Sequence, residues 1–399
     1  MKKVLFISYN YPYGKFGAST LCTYRIMKAL VNSGKVEVHC LSYVDNGNQS
    51  YDSIPGVHLH SLGIKCPNKR KSVFDNFLGF LMYPLRSILS DYKHYRLSKS
   101  ICKSEKFDMV IAQCYPEQSV IAATLLKKRG YINNLMVIFW DNLYGKLTSK
   151  LPVKYAIWRQ KIVESFVAKY ANTLISLYPI KSFHEEYGDV CYGIGKRIYL
   201  GIPSVVEPVV PQKTSYDDIL DNSRISVLYS GSIIRKDLVD YAVQLFNQCS
   251  FAEDVSLFFF SRGIPDEEFA RLRDVFKGSI YNFDYIPLSE LYSLYSKVDI
   301  FLSLPGNPRS ICSKCYEYMS YGHPMVLFYD DNADVNVTTF VTYPLTVSID
   351  ARVAPSDNVE SLEQFIKNSI GKSVPFEMVK NLFKSDSASA YVDLILERL

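Results

Sequence analysis

Short apolar runs alternate with helix-length amphipathic segments along most of this chain, and the alternation runs through twice. In the first half, VLFIS (4–8) precedes a helical stretch over about 19–33 that Gly34 ends, followed by VEVHCL (36–41) and MVIA (109–112). A helix over about 118–129 closed by Gly130, LMVIFW (135–140), a helix over 154–170 and TLISL (173–177) complete that half. Strands separated by helices run parallel, and continuous β-branched and aromatic runs are what strands covered on both faces look like. LGIPSVVEPVVPQ (200–212), with three prolines and no helical period, reads as a linker. The rhythm then restarts with ISVLYS (225–230), a helix over 237–248, VSLFFFS (255–261), a helix over 266–276 and IYNF (280–283). It closes with a helix over 289–296, DIFLSL (299–304) and MVLFY (325–329). The expected fold class is α/β: two Rossmann-like domains, residues 1–204 and 205–399, facing each other across a cleft. The terminal ASAYVDLILERL reads as an amphipathic helix able to pack back across it.

A length of 399 residues suits two packed domains, and 48% hydrophobic residues with an ordinary charged fraction exclude a disordered chain. The start, MKKVLFISYNYP, has the lysines of a secretory leader, but its apolar run stops at Tyr9 and Asn10 and reads as a buried first strand. No stretch approaches the roughly 20 apolar residues needed to cross a bilayer. Nine scattered cysteines, an odd number lying mostly in apolar segments, point to reduced thiols in a cytoplasm. Cys312 and Cys315 form a CxxC without a second pair, which argues against a zinc or redox role.

Charge is more telling. Residues 1–200 carry 28 Lys and Arg against 13 Asp and Glu, and residues 201–399 carry 17 against 27, so a net charge of +5 hides two halves of opposite sign. The first half is therefore expected to meet something anionic.

Open α/β sheets bind ligands at the carboxyl ends of their strands, so chemistry is sought there. After the first strand comes YNYPYGKFGAST, where Gly14 and Gly17 precede a helix that Ser19 or Thr20 can cap. Backbone amides can approach a ligand closely at such a glycine, and a helix N-terminus favours phosphate. The same residues also suit a plain strand-to-helix turn, and the spacing is not G-x-G-x-x-G, so nicotinamide binding loses support. In the second half, YSGSIIRKDL (229–238) sets Gly231, Ser232, Arg235 and Lys236 at a strand end and helix start, a pattern suited to a diphosphate or, alternatively, a solvated helix edge. SKCYEYMSYGHPMV (313–326) holds Glu317 in a short segment stopped by Gly322 and Pro324. If Ser313 caps this helix, Glu317 comes one residue too late for a capping box. Its carboxylate then either points toward the cleft and takes vicinal hydroxyls such as a ribose's, or pairs with Lys314 on a surface helix.

The last stretch resembles the nucleotide-sugar motif of the GT-B glycosyltransferases, close variants of SK-x-x-EYM-x-x-GxP-x-V, and YSGS at 229–232 and the loop at Gly17 match other landmarks of that family. The resemblance spans most of the chain. It implies that Glu317 holds the donor ribose, that Ser313 and Lys314 sit beside the phosphates, and that Gly231 and Ser232 offer amides to the pyrophosphate. Arg235 or Lys236 would neutralise the departing nucleotide diphosphate. Ile286 would touch the base through its backbone, Gly17 would lie near the donor sugar and acceptor, and Asp141, directly after LMVIFW, is a candidate acid or base, or a loop-solvating aspartate. Three positions depart from the family pattern. Arg309 stands where the first glutamate of an E-x7-E signature would fall, Ser232 replaces an arginine, and Phe16 precedes Gly17 where paired glycines are usual. These departures leave the retaining or inverting outcome open.

The donor expected on this reading is a UDP-sugar, with no metal or other cofactor. DDNAD (330–334) reads as a decorated loop rather than a metal site. His58 and His60 share one strand face and, with no carboxylate or third histidine in reach along the sequence, read as ordinary polar residues. Residues 65–99, with eight Lys or Arg and two acids, and 146–169, with six and one, interleave bases with aromatic and apolar residues, which fits an anionic membrane surface or, alternatively, a solvated face over a core helix. The function expected is transfer of a sugar to a lipid-linked or oligosaccharide acceptor in bacterial surface-polysaccharide assembly, by a cytoplasmic enzyme peripheral to the inner face of the membrane. The alternatives are a nucleotide-sugar 2-epimerase on the same fold and a noncatalytic protein binding an anionic ligand. A nucleic-acid partner is not expected, because no aromatic stacking signature accompanies the bases.

Overall fold

The structure, a computed structural model, describes residues 1–8, 13, 17–44, 53–65, 88–114, 117–140, 153–181, 184–185, 193–221, 225–263, 265–308 and 310–399. It divides into two compact units, Met1–Pro203 with Ala388–Leu399, and Ser204–Ser387.

In the first unit, β1 (Lys2–Ile7), β2 (Val36–Val44), β3 (Val57–Lys65), β4 (Met109–Cys114), β5 (Leu135–Phe139), β6 (Thr173–Leu177) and β7 (Arg197–Leu200) form one sheet. The order is β3-β2-β1-β4-β5-β6-β7 and every neighbouring pair is parallel. All residues of β4 and β5 are buried, β5 apolar throughout and β4 apolar but for Gln113. Helices Gly17–Asn32, Ile88–Ser104, Glu117–Lys128 and Val153–Tyr170 connect the strands. The edge strand β7 is fastened by Arg197, whose guanidinium is 2.6 Å from buried Glu164 and lies over the Phe139 ring. Residues 388–399 belong to this unit rather than to the second half, because Tyr391, Val392 and Ile395 of the helix Ala388–Arg398 join the apolar cluster of Val4, Phe6 and Ile26. The Tyr391 hydroxyl also donates to the Gly201 carbonyl at 2.8 Å.

The second unit contains β8 (Ile225–Ser232), β9 (Val255–Arg262), β10 (Ser279–Phe283), β11 (Ile300–Ser303), β12 (Met325–Tyr329) and β13 (Thr346–Asp350) in the order β10-β9-β8-β11-β12-β13, again all parallel. Asp299 precedes β11 instead of beginning it, and its carboxylate accepts from the Ser226 amide and hydroxyl at 2.8 and 2.7 Å, which anchors β11 beside β8. The stretch read as a linker is only partly one. It begins inside β7, and beyond it Val205 bridges to Ser387 while the Val206 amide donates to the Ser320 hydroxyl at 3.1 Å. In each sheet the strand order reverses beside the first strand, between β1 and β4 and between β8 and β11, and such a reversal opens a crevice at the carboxyl ends.

Candidate functional site

In the second unit a cavity of about 230 Å³ lies at the carboxyl ends of β8 and β11, at the reversal point. Its wall is built from Gly231 and Ser232 at the end of β8, Leu304 to Asn307 after β11, and Cys312, Ser313 and Lys314 at the start of the helix Ser313–Ser320. Gly231 has φ 138°, a backbone setting that side chains rarely adopt, so the turn out of β8 calls for glycine. The back wall is stiffened by tyrosines. Tyr318 accepts from the Ser230 amide at 2.8 Å and stacks on Phe301 with centroids 4.3 Å apart, and the Tyr295 hydroxyl bonds Ser230 Oγ. At about 230 Å³ the cavity is smaller than the roughly 300–1,000 Å³ of pockets that enclose whole drug-sized ligands.

The 313–320 helix explains its own sequence. Gly322 follows it at φ 80°, and a Cβ there would stand 2.4 Å from the Val374 carbonyl oxygen, so only glycine lets the chain turn into β12. Cys312, not Ser313, is the N-cap residue, and Ser313 is the first residue of the helix. Glu317 is fully buried, so the surface-helix alternative does not hold, yet the Lys314 pairing does: the Lys314 ammonium donates to Glu317 Oε2 at 2.9 Å. Burial works against the Lys314 charge, but Glu317 and the surrounding tyrosines outweigh it and raise its pKa. Lys314 thus lines the cavity with Glu317 behind it, and the carboxylate itself does not reach the wall.

Four of the expected donor-site residues, Gly231, Ser232, Ser313 and Lys314, meet in this cavity. Besides Glu317, Arg235, Lys236 and Ile286 stand outside its wall. Arg235 is the N-cap residue of the helix Lys236–Gln248, and its guanidinium is held by Asp237 at 2.9 and 2.5 Å and by Asp330 at 2.6 Å, which raises its pKa and ties up the charge expected to face a diphosphate. Lys236 is the exposed first residue of that helix. Ile286 is half-buried in the turn after β10, but its neighbour Tyr285 brings that turn to the site, because the Tyr285 and Ser232 hydroxyls lie 2.6 Å apart. Arg262 lies over the Tyr285 ring at 4.7 Å. Tyr285 went unread in the sequence, although an aromatic residue beside Ile286, the position expected to touch the base, was a usable signal. The DDNAD loop spends its carboxylates locally: Asp330 on Arg235, Asp331 on the Ala333 amide at 2.8 Å, and Asp334 as the cap of the helix Val335–Phe340.

In the first unit, Gly17 is the first residue of the helix after β1. Asp141 lies outside the described residues, as do Gly14 and Arg309. Just before Asp141, a buried polar network joins the carboxyl ends of three strands: Trp140 Nε1 donates to Gln113 Oε1 at 3.0 Å, Gln113 Nε2 donates to Ser8 Oγ at 3.1 Å, and the Thr23 hydroxyl also bonds Gln113 Oε1. This network was not legible in the sequence, since its members come from four separate segments.

No family model matches the chain, and no curated protein matches it in sequence. Solved structures do match it along its whole length. A lipopolysaccharide outer core galactosyltransferase, WaaB, in its apo form, is similar at TM-score 0.58 and 15% identity, with 100% of both chains covered. Anabaena HepE in complex with UDP and glucose matches at TM-score 0.61 and 11% identity, again over 100% of both chains. A UDP-forming α,α-trehalose-phosphate synthase from Burkholderia xenovorans bound to glucose-6-phosphate matches at TM-score 0.64 and 12% identity over 100% of both chains. The chain has the GT-B glycosyltransferase fold.

Proposed function

We propose that this chain is a glycosyltransferase that moves a sugar from a UDP-sugar to a lipid-linked saccharide acceptor at an anionic membrane surface, in the assembly of a bacterial surface polysaccharide. The observation that carries the reading is the convergence of Gly231, Ser232, Ser313 and Lys314 on one cavity at the β8/β11 reversal. Amides at a strand end and a helix start, with an ammonium between them, suit the pyrophosphate and the negative charge that grows on it as the glycosidic bond breaks. In this reading Lys314 turns toward the phosphates when the donor enters, and the ribose hydroxyls take its place on Glu317. Tyr285 flanks the base, and Lys236 is a second cation for the departing diphosphate. Arg235, held by two carboxylates, serves to fix the loop. Asp141 is the proposed acid or base on the acceptor side. The similar structures lend support to the choice of UDP, since HepE is described with UDP and glucose, and to the choice of pathway, since WaaB is described as a lipopolysaccharide outer core galactosyltransferase.

The membrane part of the proposal rests on the first unit. No helix among the described residues is long and apolar enough to cross a membrane. The helix Val153–Tyr170, however, exposes Lys154, Trp158, Ile162 and Lys169 along one stripe, with Trp158 55% and Ile162 45% exposed. Basic residues around exposed apolar ones suit the boundary of an anionic bilayer. The test is turnover of radiolabelled UDP-sugars with and without lipid-linked saccharide in vesicles. Label passing to the lipid fraction supports the reading, and donor consumed equally without any acceptor would contradict it.

A further inference from the structure

Three of the chain's six histidines meet near the amino ends of the first unit's strands, away from the carboxyl ends where the transfer chemistry is placed. The β2/β3 register sets His39 opposite His58 and Leu41 opposite His60, and the alternation of side chains along each strand brings His39, His58 and His60 onto one face with Glu37. Lys3 of β1 and Glu105, just past the helix Ile88–Ser104, close the group. The sequence alone left His58 and His60 without partners; the fold supplies a third histidine and two carboxylates.

His39 is 3% exposed, and its two ring nitrogens face different groups. Nε2 lies 2.9 Å from Glu37 Oε1, and Nδ1 lies 2.9 Å from His60 Nε2 and 3.8 Å from Glu105 Oε2. A carboxylate at Nε2 holds the proton there and leaves the Nδ1 lone pair facing His60 and Glu105, the arrangement by which proteins orient a metal-ligating imidazole. Lys3 takes the other oxygen of Glu105, Oε1, so Oε2 remains turned toward His39. Metal–ligand distances of about 2.0–2.2 Å place tetrahedral ligand atoms roughly 3.3–3.6 Å apart. The two separations observed at Nδ1 straddle that value, and all three ligand atoms lie within 4.8 Å of one another.

We propose that His39 Nδ1, His60 Nε2 and Glu105 Oε2 bind one divalent ion of the zinc class, with Glu37 as the outer partner of His39 and water completing the coordination. Two imidazoles and one carboxylate select zinc, cobalt, nickel or copper over magnesium and calcium, which require a shell of oxygens. Two carboxylates against one ammonium leave the group net negative while the imidazoles are neutral, so a dication is favoured. The ion fastens the edge strand β3 to β2 and to the end of the 88–104 helix. This role is independent of sugar transfer.

The full chain, stripped with a chelator and dialysed, is titrated with zinc chloride in excess magnesium chloride, and retained zinc is measured by atomic emission after desalting. One zinc per chain is expected, with retention lost in both His60→Gln and Glu105→Gln and affinity about 10–100-fold weaker in Glu37→Gln. Both ligand variants lie outside the deep core, and either one that folds is sufficient. No zinc retained by the unaltered chain, or equal retention by a folded ligand variant, would overturn the proposal.

Discussion

A carboxylate with no accessible surface has to be balanced where it sits, and Lys314 does that for Glu317. Removing the acid leaves an ammonium that is only 25% exposed without its counter-ion. Breaking a buried pair from one side costs about 3–5 kcal/mol, and the partial exposure of Lys314 reduces that to roughly 2–3 kcal/mol. Glu317→Ala is therefore expected to lower the unfolding free energy read from urea titration by that amount and to abolish stabilisation by UDP. Glu317→Gln, which keeps the shape, should lose the UDP effect with a smaller drop in midpoint. An unchanged UDP effect in both variants would remove Glu317 from the donor site. At this scale Gly231, Ser232, Ser313 and Lys314 were legible because a strand end and a helix start announce themselves by composition. The direction of Glu317 was not, because a helix that begins one residue off from its expected cap turns each side chain by about 100°. Arg235 misled for a different reason: its partner Asp330 lies far along the sequence, and only the fold brings it near.

Among the elements, the helix Ile88–Ser104 carries the clearest consequence for pH. His94 is fully buried on it, 5.9 Å from the Tyr43 ring, and burial pushes its pKa down to about 4. The folded value lies below the unfolded one of roughly 6.5, so the stability this group contributes is present above about pH 6.5 and is lost as the pH falls toward 4. The loss is on the order of 3 kcal/mol by pH 4, from a shift of about 2.5 units. Urea midpoints measured between pH 7 and 4.5 should fall more steeply for the unaltered chain than for His94→Gln, and parallel curves would contradict this assignment. The doubly covered strands were readable from their unbroken apolar runs. The edge strands β7, RIYL, and β13, TVSID, were not, since a strand covered on fewer sides carries polar residues and resembles a loop. The histidine cluster was hidden for a different reason: strand pairing assembles it and sequence spacing does not.

For the molecule as a whole, each unit is built on one all-parallel sheet, the first unit basic and the second acidic, and on the proposed function the basic one meets an acceptor at an anionic surface and the acidic one the donor. Co-sedimentation with anionic vesicles should exceed that with neutral ones, fall with added salt, and weaken in a Trp158→Ser, Ile162→Ser double variant; equal, salt-insensitive recovery would reject membrane binding. The fold class was legible because the strand–helix rhythm is written twice, and the terminal helix was readable as one able to pack back; its partners in the first unit, Val4, Phe6 and Ile26, were not. The central claim is that the cavity between β8 and β11 grips a nucleotide diphosphate, and a thermal-shift titration with UDP, beside GDP, ADP and dTDP, tests it most directly. Saturation at 100 times the dissociation constant stabilises a folded state by about 2.7 kcal/mol, so UDP should raise the midpoint of the unaltered chain and leave that of a folded Lys314→Met variant unmoved. No shift with any of the four nucleotides, or the same shift in that variant, would contradict the account.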